Sequence, residues 1–455
     1  MSIGGIQKIK EMKLTFIQSA TVVIEHENVK ILCDPWLTDG EYYGSWAHYP
    51  PYDFKPFRFD DIDYIYISHI HPDHCSAKTL SSLKKDTPVL IHDFPTKFLK
   101  NNIENMGFQV LELPHNKRIH LKNNLYINIL AADNCDPTIC GRLFACNFEP
   151  SKFGTNQIDT MCVVDNKEEV IVNTNDCPFE IAQSVSSKVK DSYKNIDLLL
   201  VGYSGASAYP HCYELSYEEM ELESKKKKQL RLTDAKKYIE LFKPKYFLPF
   251  AGRYTLCGKL YQLNSHRGEP ELEEAYDYLI TQIDQNHKGI LLNPDSSFDI
   301  TTGNSSEHYA RINLNEKYGY IEKILSKRKF DYESGSEPTT KELMQLIPCS
   351  YERFEQHRKK LGFQSDTTIL LEISDKDLLA LSCKGDGYKV IPKEDENNFR
   401  KYLKLSLDRR LLRWILQGPQ KAHWNNADIG SHIRWKRVPN IYEMGIYYCL
   451  NFFHS

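Results

Sequence analysis

Residues 61–74 read DIDYIYISHIHPDH. A β-branched and aromatic run stops abruptly at three histidines and an aspartate within six positions, and no other feature limits the possible folds as much. Runs of this composition form strands. His69 and His71 stand two residues apart, so in an extended chain their imidazoles fall on the same side. Pro72 favours leaving the strand and turning, which sets Asp73 and His74 beside the first pair. Neutral imidazoles with a carboxylate are donors suited to zinc, iron or manganese. A lone histidine here would read as a satisfied polar turn, whereas four donors in six residues read as a metal-binding corner.

The surrounding pattern predicts a layered α/β domain. KLTFIQSATVVIEH (13–26) and VKILCDPWL (29–37) read as two strands joined at Glu27 and Asn28. PVLIHD (88–93), NLYINILAA (124–132), DTMCVVDN (159–166), EEVIVNTND (168–176) and KYFLPFAG (245–252) continue the strand pattern. IDLLLVGYSG (196–205) is almost unbroken apolar sequence, as expected of a strand covered on both faces. SAKTLSSLKK (76–85) and LTDAKKYIELFKP (232–244) read as helices, the second stopped by Pro244. Strands interleaved with helices predict an α/β domain over 1–300. Polar stretches at 301–308 and 332–342 then lead into a smaller C-terminal α+β domain, 301–455. Its aromatic tail, Tyr442 to Phe453, serves either as core or as the contact of a homo-oligomer.

A chain of 455 residues is too long for one ordinary core. The formal net charge of -3 gives no electrostatic case for nucleic acid. Lys225 to Lys228, following Glu221 and Glu223, read as a solvated helix face. The N-terminal residues lack the pattern of a secretory signal, and no stretch is apolar enough to span a membrane. The 12 cysteines, scattered along a long chain, predict reduced thiols and a cytoplasmic location. The partner expected is a small-molecule substrate.

The spacing H-x-H-x-D-H resembles that of the metallo-β-lactamase superfamily, which implies a four-layer αββα sandwich. Five further stretches resemble the CMP-N-acetylneuraminate hydroxylase family in the same order: DPWLTDGEYYGSWAHYPP, IDYIYISHIHPDHCSAKTLSSL, DTMCVVDNKEEVIVNTNDCP, GYSGASAYP and PKYFLPFAG. That family carries a Rieske iron–sulfur domain with C-x-H and C-x-x-H ligands. Neither pattern occurs in this sequence. The resemblance therefore implies the hydrolase-like part, with oxygenase chemistry requiring a separate electron-donor protein.

The same resemblance implies that His69 and His71 hold one metal, that Asp73 and His74 face a second, and that Asp176 of NTNDC ligates at a strand end. The family's further histidine is absent, and LAADNCDPTICG offers Asp133, Cys135 or Asp136 in its place. Ala251 stands where many relatives have the last histidine, leaving His211 or His266 as loop alternatives or as plain surface residues. A divalent ion, zinc first with iron or manganese as alternatives, would generate a metal-bound hydroxide, with Asp73 orienting the water or taking its proton. The expected activity is hydrolysis of an ester, amide or phosphoester in a sugar-, nucleotide- or lipid-linked substrate. An oxygenase component and a non-catalytic metal-binding scaffold are the alternatives. Trp46, Tyr42, Tyr43 and His48 of the aromatic loop 38–57 either roof the cleft or pin the loop by packing. Gly202 and Gly205 suit turn geometry or close approach of a ligand, and Arg253 is placed to meet a phosphate or carboxylate.

Overall fold

Along the strand Thr160–Asp165, Cys162 and Val164 face one way, Met161 and Val163 face the other, and all four are buried. Burial on both sides is the mark of a sheet inside a layered stack. The computed structural model describes residues 11–132 and 159–455 and contains two such sheets face to face. The first has eight strands in the spatial order Asn304–Ser305, Ser297–Asp299, Met12–Gln18, Thr21–His26, Val29–Cys33, Tyr64–Tyr66, Val89–His92 and Val110–Leu113. The second has seven, in the order Lys288–Gly289, Tyr246–Phe250, Leu198–Gly202, Val170–Asn173, Thr160–Asp165, Tyr126–Ala131 and Ile119–His120.

Leu14, Val22, Ile31 and Tyr66 from the first sheet meet Ile129, Val164, Leu200 and Leu248 from the second in one central core. Outside the first sheet, Ile65, Val89 and Ile91 pack on Leu80, Leu99 and Ile103. Outside the second, Val163, Leu199 and Phe247 pack on Val185 and Val189 of the helix Phe179–Ser192 and on Ala235 and Ile239 of the helix Tyr217–Phe242. The result is the helix–sheet–sheet–helix order expected from the sequence.

Two local expectations are corrected. The segment 13–26 forms two strands, because Ser19 takes a left-handed φ of 50° and the chain reverses at Ser19-Ala20. The helix expected from 232 starts at Tyr217 instead, capped reciprocally by Ser216 and Glu219. Lys225, Lys226 and Lys228 do lie on its open side, but the Lys227 side chain is only 10% exposed.

Beyond residue 314 a five-stranded sheet takes the order Tyr388–Pro392, Asp377–Ser382, Thr368–Glu372, Tyr402–Ser406 and Arg434–Val438. The helices Thr340–Lys360, Arg409–Leu416 and Met444–Leu450 cover one face of it. That core is continuous with the sandwich: Trp36, Tyr42, Trp46 and Tyr254 belong to the same buried cluster as Phe330, Tyr332, Trp424 and Phe453. The aromatic tail is therefore core, with Tyr448, Leu450 and Phe453 all buried. Among the described residues no helix is long and apolar enough to cross a membrane.

Candidate metal centre

The strands Val29–Cys33 and Tyr64–Tyr66 run parallel, with Cys33 opposite Tyr66. The residues following them, Asp34 and Ser68, therefore leave the sheet at one end. Asp159, just before Thr160–Asp165, and Asp176, just after Val170–Asn173, reach the same end from the second sheet. A polar stitch joins the two edges. Thr160 Oγ1 donates to the Ser68 carbonyl at 2.8 Å and accepts from Tyr66 Oη at 2.8 Å, while Asn175 Nδ2 donates to the Thr160 carbonyl at 3.0 Å. These bonds fix the corner against both sheets.

Asp34 organises the histidines. Its carboxylate accepts from the Ser68 backbone N–H at 2.7 Å, from Ser68 Oγ at 2.6 Å and from His74 Nδ1 at 2.8 Å. With its proton committed to Asp34, Ser68 Oγ accepts from His69 Nδ1 at 2.9 Å. Both rings are thus protonated on Nδ1 and turn Nε2 inward. His69 Nε2 lies 2.9 Å from His71 Nδ1 and 3.7 Å from Asp159 Oδ1. His74 Nε2 lies 3.3 Å from Asp176 Oδ1 and 3.5 Å from Asp73 Oδ2. Two groups of potential ligands result, His69 with His71 and Asp159, and His69 with His74 and Asp176. Asp73 stands beside them, its Oδ1 accepting from Tyr42 Oη at 2.5 Å.

The donor set fits a divalent cation. Asp159 is 2% exposed, and its Oδ1 has no hydrogen-bond partner among the described residues. An orphan of that kind is costly unless something else satisfies it. Four carboxylates, Asp34, Asp73, Asp159 and Asp176, crowd three imidazoles. Burial, then the charges of Asp176 and Asp73, raises the Asp159 carboxyl well above its usual range. Burial followed by His74 and His71 pushes His69 well below the usual imidazole value. Burial also opposes charge on His74, but Asp176, Asp73 and Asp34 outweigh it and raise its pKa well above normal. Burial opposes ionisation of Asp176 too, yet His74, His71 and Arg231 hold that carboxyl below its usual value. An ion among these groups would take the place of a proton.

His69, His71, His74, Asp73 and Asp176 are thus brought together, and Asp159 joins them unanticipated. Asp133, Cys135 and Asp136 lie outside the described residues. His211 is buried elsewhere, its Nε2 2.8 Å from Ser431 Oγ, and His266 pairs with Glu221 at 3.1 Å. Arg253 is buried against Phe16 and donates to Tyr309 Oη at 3.0 Å. The aromatic loop is packed inward: Trp46 stacks on Tyr254 with ring centres 3.6 Å apart, and His48 pairs with Asp39 at 2.9 Å. Of that loop, only Tyr42 bonds a residue of the cluster.

The C-terminal part supplies a wall. Asn425 Nδ2 lies 3.4 Å from His71 Nε2, Tyr43 Oη accepts from the His423 backbone N–H at 2.7 Å, and His432 Nε2 donates to the Tyr42 carbonyl at 2.8 Å. Burial, followed by His454 and His71, pushes His423 down to about 4, so it is uncharged at neutral pH.

The Beta-lactamase superfamily domain matches residues 13–135. A Mycobacterium tuberculosis protein described as a Rieske 2Fe-2S iron–sulfur protein is 28% identical over 312 residues, 65% of this chain and 56% of that one. The chain thus spans about half the length of this relative. The cytidine monophosphate-N-acetylneuraminic acid hydroxylase of Mus musculus is 22% identical over 459 residues, 95% of this chain and 72% of the hydroxylase. Among solved structures, an isothiocyanate hydrolase from Delia radicum gut bacteria aligns with a TM-score of 0.43 and 16% identity, covering 63% of this chain and all of that one. Fold and site define the class: two facing sheets flanked by helices, with histidines and aspartates gathered at one end, give the chain the metallo-β-lactamase fold with a candidate metal centre. Within that fold the chain is similar both to CMP-N-acetylneuraminic acid hydroxylases and to Rieske 2Fe-2S iron–sulfur proteins.

Proposed function

We propose that this protein is a metallo-hydrolase acting on an ester, amide or phosphoester of a small-molecule substrate. His69, His71 and Asp159 would hold one divalent ion, and His74 and Asp176, sharing His69, would complete a second set. Imidazole with carboxylate suits zinc first, then iron or manganese. A bound ion would lower the pKa of a coordinated water from about 16 to roughly 7 and polarise the substrate's acceptor oxygen. The single observation that carries hydrolysis is the position of Asp73. It lies next to His74 but outside both ligand groups, and Tyr42 fixes its carboxylate. A held carboxylate in that place accepts the proton of an attacking water and returns it to the leaving group. Asp34, through His74 and through Ser68, keeps the inward ring nitrogens bare. The nine described cysteines are all free thiols, which supports a reducing, cytoplasmic setting.

A second reading, an oxygenase component served by a separate electron donor, draws support from the likeness to a hydroxylase and to a Rieske iron–sulfur protein. One experiment separates the two. Protein purified without added metal is analysed for metals, then assayed against panels of esters, amides and phosphoesters, and for O₂ uptake with a reductant. Hydrolysis requires that His71→Ala and Asp159→Ala lose metal and activity together. It also requires Asp73→Asn to keep its metal while kcat falls by about 10²–10⁴. Reductant-dependent O₂ uptake without any hydrolysis would reverse the assignment.

A further inference from the structure

The helix Tyr217–Phe242 turns two cations inward, one turn apart. Lys227 is fully engaged: its Nζ reaches Glu269 at 2.8 Å and donates to the Arg267 carbonyl at 2.8 Å. The other oxygen of Glu269 accepts from Ser204 Oγ at 2.9 Å and from the Gly205 N–H at 3.0 Å, so that carboxylate is occupied. Arg231 is different. Among the described residues it makes no hydrogen bond and no ion pair, and its Nε is buried without a partner. A guanidinium presents five donors, and leaving its buried Nε–H unsatisfied is costly.

Its position is fixed by what it touches. The guanidinium lies flat against Gly205, where a Cβ would fall 2.5 Å from its central carbon. Three residues earlier, a Cβ on Gly202 would fall 2.9 Å from the carbonyl oxygen of Asn175, the neighbour of Asp176. The two glycines thus let the end of one strand lie between Arg231 and the turn that carries Asp176. The Asp176 side chain keeps 26% of its surface exposed.

We propose that Arg231 is an anchor for an oxyanion, a carboxylate or a phosphate, carried by the substrate beside the metal centre, with Gly205 as the residue that makes room for it. The planar fork of arginine matches either group bidentately. The assignment deepens the hydrolase reading, because it places a negatively charged substituent next to the bond to be cleaved. The anion site itself does not need the metal.

The test therefore uses the full chain stripped of metal. Inorganic phosphate and acetate are titrated separately by calorimetry into wild type, Arg231→Gln and Arg231→Lys, and the same preparations are assayed for metal uptake. The expected result is saturable binding of at least one anion to the metal-free wild type, weakened tenfold or more in Arg231→Gln and less in Arg231→Lys. Metal uptake should be unchanged in both variants. The anion that binds more tightly identifies the group recognised. Binding of neither anion by wild type, or equal binding by wild type and Arg231→Gln, overturns the proposal. His71→Ala, titrated alongside, should lose metal but keep the anion, so failure of the metal reading and failure of the anion reading give separate results.

Discussion

Asp159→Asn should make the metal-free protein more stable and should shrink the stabilisation that metal confers. In the absence of an ion, Asp159 is a buried carboxylate whose Oδ1 has no partner among the described residues. An unsatisfied buried polar group costs about 1–3 kcal/mol, and the amide removes the charged part of that cost. At about 2 °C per kcal/mol for a chain of this size, the variant should melt roughly 2–6 °C higher in EDTA. A ligand held at a hundredfold over its Kd stabilises the folded state by about 2.7 kcal/mol, so wild type should gain about 5 °C on loading. Losing one of three ligands lowers affinity by about a hundredfold or more. At the same metal concentration the variant then sits near its Kd and gains only about 0.4 kcal/mol. Metal should therefore raise wild type by about 4–5 °C more than the variant, which narrows, closes or reverses the gap seen in EDTA. The pH dependence has a definite sign. The Asp159 carboxyl is raised in the fold from its ordinary value of 3.8. Its cost is absent below about pH 4 and grows as pH rises toward the folded-state value. The advantage of the asparagine variant in EDTA should accordingly vanish in acid. Scanning calorimetry at pH 4 and pH 7, with and without zinc, checks all of this. An Asp159→Asn protein that melts lower than wild type in EDTA, or that shows an undiminished metal-induced shift, would refute the reasoning.

Three further outcomes are expected. With its amide turned so that Oδ1 accepts the Nε2–H of a metal-ligating His71, Asn425 would orient that ring from 3.4 Å away; Asn425→Ala should then weaken metal binding about 10–100-fold by equilibrium dialysis while leaving the metal-free melting temperature unchanged. Trp46→Ala empties a fully buried site stacked on Tyr254 and should cost about 3–5 kcal/mol in urea unfolding. Burial opposes ionisation of Glu396, yet hydrogen bonds from Lys404, Lys436 and Tyr402 hold its carboxyl down to about 2. A depressed carboxyl stabilises fully above its ordinary value of 4.5 and loses that contribution as pH falls toward 2. The stability gap between wild type and Glu396→Gln, followed by far-UV melting, should therefore close over that interval.

The corner at His69 to His74 was legible because its donors are local: alternation along an extended chain and a proline turn suffice to bring them together. Asp159 was not, although the strand it precedes was recognised. A carboxylate at a strand start looks like an ordinary boundary residue. Only the pairing of the two sheet edges, through Tyr66 and Thr160, shows that it meets His69. The lysine run hid a second signal. Four successive lysines give no periodicity, so nothing in the sequence distinguishes Lys227 from its neighbours, and Arg231 one turn later looks equally solvated. Helix docking chooses between them. The aromatic loop is the reverse case. Its Trp and Tyr residues read equally as a roof over the cleft and as packing that pins the loop; Trp46 and Tyr254 face each other and leave Tyr42 as the loop's link to the cluster. Composition cannot tell an aromatic that stacks on a sugar from one that stacks on a neighbour.

The C-terminal part also bears on how the site is held. Tyr42 and Tyr43 both take left-handed backbone conformations, with φ of 51° and 60°. Such a pair is unfavourable for bulky residues unless surrounding contacts fix it. Those contacts come from beyond residue 400: His432 holds the Tyr42 carbonyl, and the His423 backbone holds the Tyr43 hydroxyl. The side chain of Tyr42, set by that backbone, then fixes Asp73. A chain of restraint thus runs from the second sheet-bearing unit, through two strained tyrosines, to the carboxylate assigned to proton transfer. Because Trp36, Tyr42, Trp46 and Tyr254 share one buried cluster with Phe330, Trp424 and Phe453, removing the C-terminal part would expose that aromatic surface and release the backbone at Tyr42 together. Asp73 would lose its orientation even with every metal ligand of the sandwich in place.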